Sequence, residues 1–570
     1  MESTVSRSLP VLSGLFYLGL LTASGWSGEA KPLSPADQVE FDKQRKEFPA
    51  STVHERIMMP MRDGVKLVSE IYRPAESGKY PVLLIRTPYS RFDKRISNSC
   101  KHENGVASYA FPYVAICQNL RGVDISEGPG RDDFTAEVND GYDTVEWIAK
   151  QEWSNGRVII NGASGSGIAC AAAIFCKAPH LVAVFTTVTG DDYYRHFGYY
   201  NGVRRHLYTW IEKLNHGKKP AEWPKPATIP YDVKARATFL ENAGKNNQVL
   251  AIYSTAWYDC LGEGAQDAFI SLLPAGKIWG SIGNGGHGPV GGRPQQKARN
   301  GNAASPTLTG NDLDKVLKGD FKTPAESSVR YVLMGDDLDA NAPGNTWMTT
   351  KVWPVAHTPT SYYLHGDGKL RLEKPTAKSA TLTYAHDPKN PVPSIGGRYM
   401  YGDKISGPQD QSPMKDRKDV LRFETDALAE PIGITGTIKM DLAISSNVDD
   451  TLFVANLVDI YPDGYQALIA SGPMMARYHQ GLDKPAPLEK GKTYNLKFDL
   501  WGTAIVFNKG HKIGLHISSS SSPAYETHPN SYKPVMSYDG CPIANNSIHM
   551  SAINASSIIL PVIPKESYAK

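Results

Sequence analysis

An α/β domain followed by an all-β domain is what this 570-residue sequence predicts. Three observations carry that expectation. From about residue 52 to 282, short continuous apolar runs alternate with helical segments, the pattern of a parallel sheet covered on both faces. Beyond residue 329 the helical spacing stops, and short alternating β-like segments recur between turn signals. Glycine and proline number 51 and 40, above their average share of roughly 12%, and that surplus adds turns.

Composition narrows the function classes. The 61 basic and 58 acidic residues leave a net charge of +3, and no polybasic run points to nucleic acid. Hydrophobic residues at 41% and charged residues at 21% exclude a polytopic membrane protein and a disordered chain.

Residues 1–30 read as a signal peptide. Arg7 supplies the positive start, and 9–23 (LPVLSGLFYLGLLTA) is an apolar run shorter than the roughly 20 residues that span a bilayer. Ala23-Ser24-Gly25 offers a small-x-small cleavage site. The expectation is export, periplasmic or secreted, with no membrane contact once the signal is cleaved. Export permits disulfides, but Cys117 ends an apolar run and Cys170 and Cys176 sit six apart on one small-residue helix, as buried small hydrophobes do. At most one pair among Cys100, Cys260 and Cys541 is left.

The α/β domain takes 40–194 and 247–328. Strands are expected at 65–72, 81–86, 113–117, 158–161, 181–187, 248–254 and 277–282, with helices at 140–150, 167–177 and 264–273. Residues 195–246 break the rhythm with an aromatic and basic stretch and read as an inserted helical cap. Residues 290–328 read as a linker with one helix at 312–318. Residues 329–570 are expected to form a jelly-roll β-sandwich, its segments running from VRYVLM and TSYYLHG to HKIGLHISSS and SSIILPVI.

The strongest chemical signal is 161–167, Asn-Gly-Ala-Ser-Gly-Ser-Gly, between a short buried strand and a helix of small residues. A serine on a tight strand-to-helix turn is the nucleophile elbow of an α/β-hydrolase. Ser164 has Gly162 two residues before it but Ser166 two after, so Ser166 is a rival. The acid and base should follow in that order. Asp259 and His287 do so, each just past a strand, where open α/β sheets place their sites. No lysine follows the glycines as a P-loop requires, and no H-E-x-x-H occurs. Asp337-x-Asp339-x-Asn341 resembles the start of a calcium loop, but Ala342 and Met348 replace its glycine and bidentate glutamate. The reading calls for no metal and no cofactor.

Further text resembles the cocaine-esterase and X-Pro dipeptidyl-peptidase family of serine hydrolases, including the α-amino-acid ester hydrolases. The matching text is Met61-Arg62-Asp63-Gly64-Val65-Lys66-Leu67, Arg86-Thr87-Pro88-Tyr89, Arg121-Gly122 with Ser126-Glu127-Gly128, and Glu152-Trp153-Ser154-Asn155-Gly156-Arg157-Val158. It continues in the elbow, Trp257-Tyr258-Asp259, Pro391-Val392-Pro393 with Gly396-Gly397, and Gly510-His511-Lys512-Ile513. The resemblance spans about 52–563. It implies an α/β-hydrolase domain, an inserted helical cap and a C-terminal jelly roll. It also implies Ser164 as nucleophile, favoured over Ser166 because the family elbow is G-x-S-Y-x-G, with Asp259 as triad acid and His287 as base. Tyr89 and the Gly165 N–H would form the oxyanion hole, although the family usually has Tyr at position 165. In the amino-ester hydrolases a Gly-Asp-Asp-aromatic stretch helps hold the substrate's α-ammonium, and Asp192 matches it. Their other cluster carboxylates fall here on Leu261 and Gly262, with Glu263 nearby.

The expected activity is hydrolysis of a small ester, amide or peptide substrate through an acyl-enzyme, as an esterase, acylase or X-Pro dipeptidyl-peptidase-like enzyme. The alternative is a catalytically inactive scaffold with a ligand- or carbohydrate-binding jelly roll. Oligomeric state leaves no trace in the sequence.

Overall fold

The computed structural model describes residues 52–89, 113–128, 134–190, 196, 198–206, 249–276, 278–288, 290–293, 315–320, 326–398, 400, 406–535 and 537–568. The signal segment, Cys100, Asp192 and most of the expected cap lie outside the described residues.

The first sheet is built from ten strands. In chain order the first domain contains β1 (Thr52–Pro60), β2 (Lys66–Pro74), β3 (Tyr80–Thr87), β4 (Val114–Asn119), helix α1 (Phe134–Ala149), β5 (Ser154–Ala163), α2 (Ser164–Phe175) and β6 (Leu181–Thr187). There follow a short hairpin of β7 (Tyr199–Tyr200) and β8 (Val203–Arg204), then β9 (Leu250–Tyr258), α3 (Gly262–Leu272), β10 (Ile278–Gly286), β11 (Ser328–Leu333) and β12 (Thr346–Thr350). The sheet order is β1-β2-β4-β3-β5-β6-β9-β10-β11-β12. Strands β4, β3, β5, β6, β9, β10 and β11 run parallel. Every position of β3, β4 and β9 is buried, which is why these strands read as continuous apolar runs. Helix α2 is buried from Gly165 to Phe175, and its alanines let it lie close on the sheet.

Several family motifs prove to be internal braces. The fully buried Arg86 donates from Nε to Gln118 Oε1 at 2.8 Å and from one terminal nitrogen to the Glu137 carbonyl at 2.9 Å. Arg121 forks onto Asp140 at 2.6 and 2.7 Å and reaches Asp63 at 2.7 Å.

Strands β1 and β11 are among those that correct the sequence reading. β1 was not expected: its positions are mostly half-buried, and its charges are taken up across the strand pair, with Arg56 and His54 meeting Glu70 at 2.6 and 2.8 Å. The segment VRYVLM, read above as the first β-rich segment after 329, is β11. It lies parallel to β10 and extends the first sheet, with β12 antiparallel at its far side.

The C-terminal region is all-β. It comprises β13 (Thr358–Leu364), β14 (Leu370–Arg371), β15 (Thr381–His386), β16 (Leu421–Glu424), β17 (Ile432–Ser446), β18 (Leu452–Ile460), β19 (Gln466–Met475), β20 (Tyr494–Phe507), β21 (Lys512–Ser518), β22 (Ala544–His549) and β23 (Ser557–Val562). One sheet runs β14-β13-β23-β17-β22-β15 with β20 also on β17; the other runs β16-β21-β18-β19. The two regions are joined by backbone bonds, Met334 N–H to the Ala504 carbonyl at 3.0 Å and Val506 N–H to the Met334 carbonyl at 2.9 Å. Cys117, Cys170, Cys176 and Cys260 are buried free thiols, and Cys541 is a half-buried one.

Candidate active site

Strand β5 ends at Ala163 and α2 begins at Ser164, with no residue between them. Ser164 takes the turn at φ +56°, a left-handed conformation that costs a non-glycine residue roughly 1–2 kcal/mol. The surroundings hold it there by close packing. A Cβ on Gly162 would stand 2.6 Å from the Ser166 carbonyl oxygen, so only glycine lets strand and helix approach this closely.

Asp259 follows the last residue of β9, and His287 follows the last residue of β10. Both strands run longer than their apolar text suggests. His287 Nε2 lies 2.8 Å from Ser164 Oγ, and Nδ1 lies 2.8 Å from Asp259 Oδ2. Asp259 is fully buried, and its other oxygen accepts the Leu261 N–H at 2.7 Å. An ionised carboxylate can only accept. Nδ1 therefore donates to it, and Nε2 is left to accept the serine proton. Burial presses the His287 pKa down, but the charges and hydrogen bonds of Asp259 and Cys260 together outweigh it and hold the imidazole well above its ordinary value of 6.5.

Tyr89 completes the chain. Its hydroxyl donates to Ser164 Oγ at 3.2 Å and accepts the Gly165 N–H at 3.0 Å. A Cβ at position 165 would stand 2.8 Å from both Pro88 Cγ and the Tyr89 hydroxyl. The glycine that departs from the family elbow thus makes room for Tyr89. Donors and acceptors now run without a break from Gly165 through Tyr89 and Ser164 to His287. Ser166 is excluded from the chain, because its buried hydroxyl donates to Thr87 Oγ1 at 2.9 Å.

The structure adds residues that sequence reasoning missed. Asn119 Nδ2 donates to the Tyr89 carbonyl at 2.7 Å, and the Tyr89 N–H donates to Thr87 Oγ1 at 3.1 Å, which fixes the tyrosine. Thr189 Oγ1 reaches the Ser164 carbonyl at 3.3 Å. The Trp257-Tyr258-Asp259 segment is clamped from outside: Trp257 Nε1 donates to the Val332 carbonyl at 2.7 Å, Tyr258 to the Leu468 carbonyl at 3.1 Å, and Arg398 Nε to the Trp257 carbonyl at 2.8 Å. The position of Asn119 at the end of a strand was the one available signal for it; the others come from distant segments.

The amine-binding reading fares differently. Asp192 lies outside the described residues. Glu263, the nearby carboxylate, is paired with the guanidinium of Arg398. Behind this turn lies a cleft lined among others by Tyr200, Arg205, Glu263, Arg398, Trp501 and Tyr525. Ser164 and His287 do not line it.

The chain is similar to known proteins along most of its length. Residues 63–271 match the X-Pro dipeptidyl-peptidase (S15) family, and residues 324–559 match the X-Pro dipeptidyl-peptidase C-terminal non-catalytic domain. Cocaine esterase from Rhodococcus sp. (strain MB1 Bresler) is 29% identical over 581 residues, covering 90% of this chain and 99% of that protein. An α-amino acid ester hydrolase structure superposes with a TM-score of 0.71 at 22% identity, covering 94% of this chain and 100% of the other. An aminopeptidase from a marine sediment Thaumarchaeota archaeon gives 0.70 at 23%, covering 91% and 99%. Those two likenesses establish the fold, an α/β core followed by an all-β domain. Motif text, fold and relatives converge: this chain is a serine hydrolase and belongs to the cocaine-esterase and X-Pro dipeptidyl-peptidase family of α/β-hydrolases.

Proposed function

We propose that the chain is an exported serine hydrolase that cleaves small carboxylic esters through an acyl-enzyme, with Ser164 as nucleophile, His287 as base and Asp259 as the triad acid. The observation that carries this reading is the relay of two 2.8 Å contacts from Ser164 through His287 to Asp259.

Ser164 attacks the ester carbonyl while His287 Nε2 takes its proton, and the buried Asp259 stabilises the imidazolium that results. The carbonyl oxygen takes over the Tyr89 hydroxyl and the Gly165 N–H, each donor worth roughly 3 kcal/mol of barrier. The imidazolium returns its proton to the leaving alcohol, and water activated by His287 then releases the acid and frees Ser164.

Esters are favoured over X-Pro peptides because Glu263, the carboxylate beside the amine-cluster positions, is already paired with Arg398. Of the other amine-cluster positions, two carry Leu261 and Gly262. The likeness to cocaine esterase supports the same choice. Export rests on the apolar run at 9–23 behind Arg7.

The test is labelling with a fluorophosphonate, followed by a screen of aryl esters, amino-acid esters and X-Pro amides. A wild-type adduct that vanishes in Ser164→Ala, with aryl esters turned over fastest, is expected. An adduct that survives Ser164→Ala overturns the assignment, and preferential X-Pro cleavage overturns the ester reading.

A further inference from the structure

The residue after the triad acid is a cysteine that the mechanism does not use. Cys260 is 2% exposed and is held by a bond from Arg205 to its carbonyl. One ligating atom each from Asp259, Cys260 and His287 lies within 4.8 Å of the other two. Met400 Sδ lies 3.7 Å from the Cys260 sulfur and adds a soft thioether at the edge of the group.

We propose that Asp259, Cys260 and His287 form an inhibitory site for a thiophilic divalent cation, Zn²⁺ or Cd²⁺. Carboxylate, thiolate and imidazole are zinc's ordinary protein ligands, and three of them leave a fourth position open. With bonds of about 2.0–2.3 Å, ligand atoms in a tetrahedral zinc site stand about 3.5 Å apart. Side-chain adjustments of about 1 Å therefore close the present group around an ion. The charges also match, since a carboxylate and a thiolate neutralise a divalent cation. The thioether of Met400 tilts the preference toward the softer cadmium.

The chemistry on binding is balanced by one proton. The Cys260 thiol releases its proton to solvent as the sulfur ligates. His287 ligates through Nδ1, the nitrogen facing Asp259, and its proton passes to Nε2. Nε2 then carries a hydrogen and cannot accept the proton of Ser164, so the metal takes away the base and the carboxylate that orients it together. Access comes from the side of His287, whose side chain is 11% exposed where Asp259 is fully closed off. The consequence for activity rests on the proposed function; the binding itself does not.

The experiment titrates the metal-free full-length protein with Cd²⁺, reading thiolate-to-cadmium charge-transfer absorption, with aryl ester hydrolysis under Zn²⁺ measured alongside. Wild type is expected to develop the band stoichiometrically, to lose it to EDTA, and to lose and regain activity in parallel. Cys260→Ala and Cys260→Ser, each checked for native circular dichroism, should lack the band. Each should raise the half-inhibiting zinc concentration at least about tenfold relative to its own uninhibited rate, since even partners outside the ligand set cost that much. Cys541→Ala should behave as wild type, and Met400→Leu should weaken cadmium more than zinc. A band that persists in both Cys260 variants, or zinc inhibition unchanged in them, overturns the site. If the protein hydrolyses no ester, the proposed function fails, and the cadmium band still decides the metal site.

Discussion

Each of the two regions of the molecule buries histidine against aspartate, and one pair from each shows how the same contact can serve a scaffold or a candidate site. In the α/β region His287 meets Asp259 at 2.8 Å; in the all-β region His528 meets Asp450 at 3.0 Å. The difference lies in the second ring nitrogen. That of His287 faces the Ser164 hydroxyl, and the side chain is 11% exposed. That of His528 accepts the Asn530 N–H at 2.9 Å, and neither His528 nor Asp450 is exposed at all. Asp450 also holds the guanidinium and the backbone N–H of Arg477. A histidine–aspartate pair is thus a scaffold element by default. It becomes a base when its free nitrogen is given a hydroxyl on a strained turn and an opening to substrate.

The sharpest break between the pairs is Ser164→Ala. Loss of a nucleophile in a serine triad costs about 10⁶-fold in kcat, and the thermal midpoint should stay near that of wild type because the exchange removes one oxygen. A residual rate within tenfold of wild type would place the nucleophile elsewhere.

Next in size is Asp259→Asn, expected to lower kcat by about 10⁴-fold through loss of the correct tautomer and of charge stabilisation. It also moves the pH profile. With Asp259 charged, the His287 imidazolium is favoured and its pKa sits well above 6.5. The neutral base therefore accumulates only above that raised value, and the acid limb of kcat/KM lies on the alkaline side of pH 6.5. Removing that charge takes away the larger of the two pulls that oppose burial and leaves only Cys260 against it, so the limb shifts to lower pH. A limb that stays put on substitution would mean another group titrates.

The matching change in the all-β region should do the opposite. Asp450→Asn leaves Arg477, 5% exposed, without its counter-charge, and breaking a buried pair from one side costs about 3–5 kcal/mol. A lowered urea midpoint with unchanged kcat per folded molecule is expected. A catalytic loss without a stability loss would erase the contrast between the two pairs.

Much of this contrast was legible in the sequence, and what escaped did so for identifiable reasons. The elbow, Asp259 and His287 are local text at strand ends, and their order alone brought them together. Tyr89 came only through family resemblance, because a Pro-Tyr pair carries no chemistry of its own. Strand β22 (ANNSIH) was missed because polar residues make its core contacts: Asn546 donates to Thr451 and Ser519 at 3.0 and 2.7 Å and accepts from Ser446 at 2.7 Å. Hydrophobic alternation cannot report a strand whose buried face is satisfied by hydrogen bonds. β11 was misplaced because a fully buried parallel strand and a sandwich strand share the same apolar text. Arg398 acts on the site from a distant segment, a relation no window of sequence contains.

Tyr89→Phe tests the oxyanion side of the site with a smaller effect. Loss of one donor costs about 10²–10³-fold in kcat. KM should change little, because the hydroxyl bonds Ser164 at rest and the developing oxyanion in the transition state. A large rise in KM with kcat unchanged would recast Tyr89 as a ground-state contact.

The smallest expected effect comes from the rival serine, and it separates scaffold from chemistry within one helical turn. Ser166 is two residues from Ser164 and on the same helix, yet its hydroxyl points away from His287 into the sheet. There it donates to Thr87 Oγ1, which also accepts the Tyr89 N–H. Ser166→Ala removes a single buried hydrogen bond, worth about 1 kcal/mol, and leaves Thr87 with its backbone donor. Fluorophosphonate labelling should be retained at the wild-type level, with at most a few-fold fall in kcat from a looser Tyr89. Loss of labelling as complete as in Ser164→Ala would reverse the assignment, because a residue this deep can abolish the adduct only by being its site.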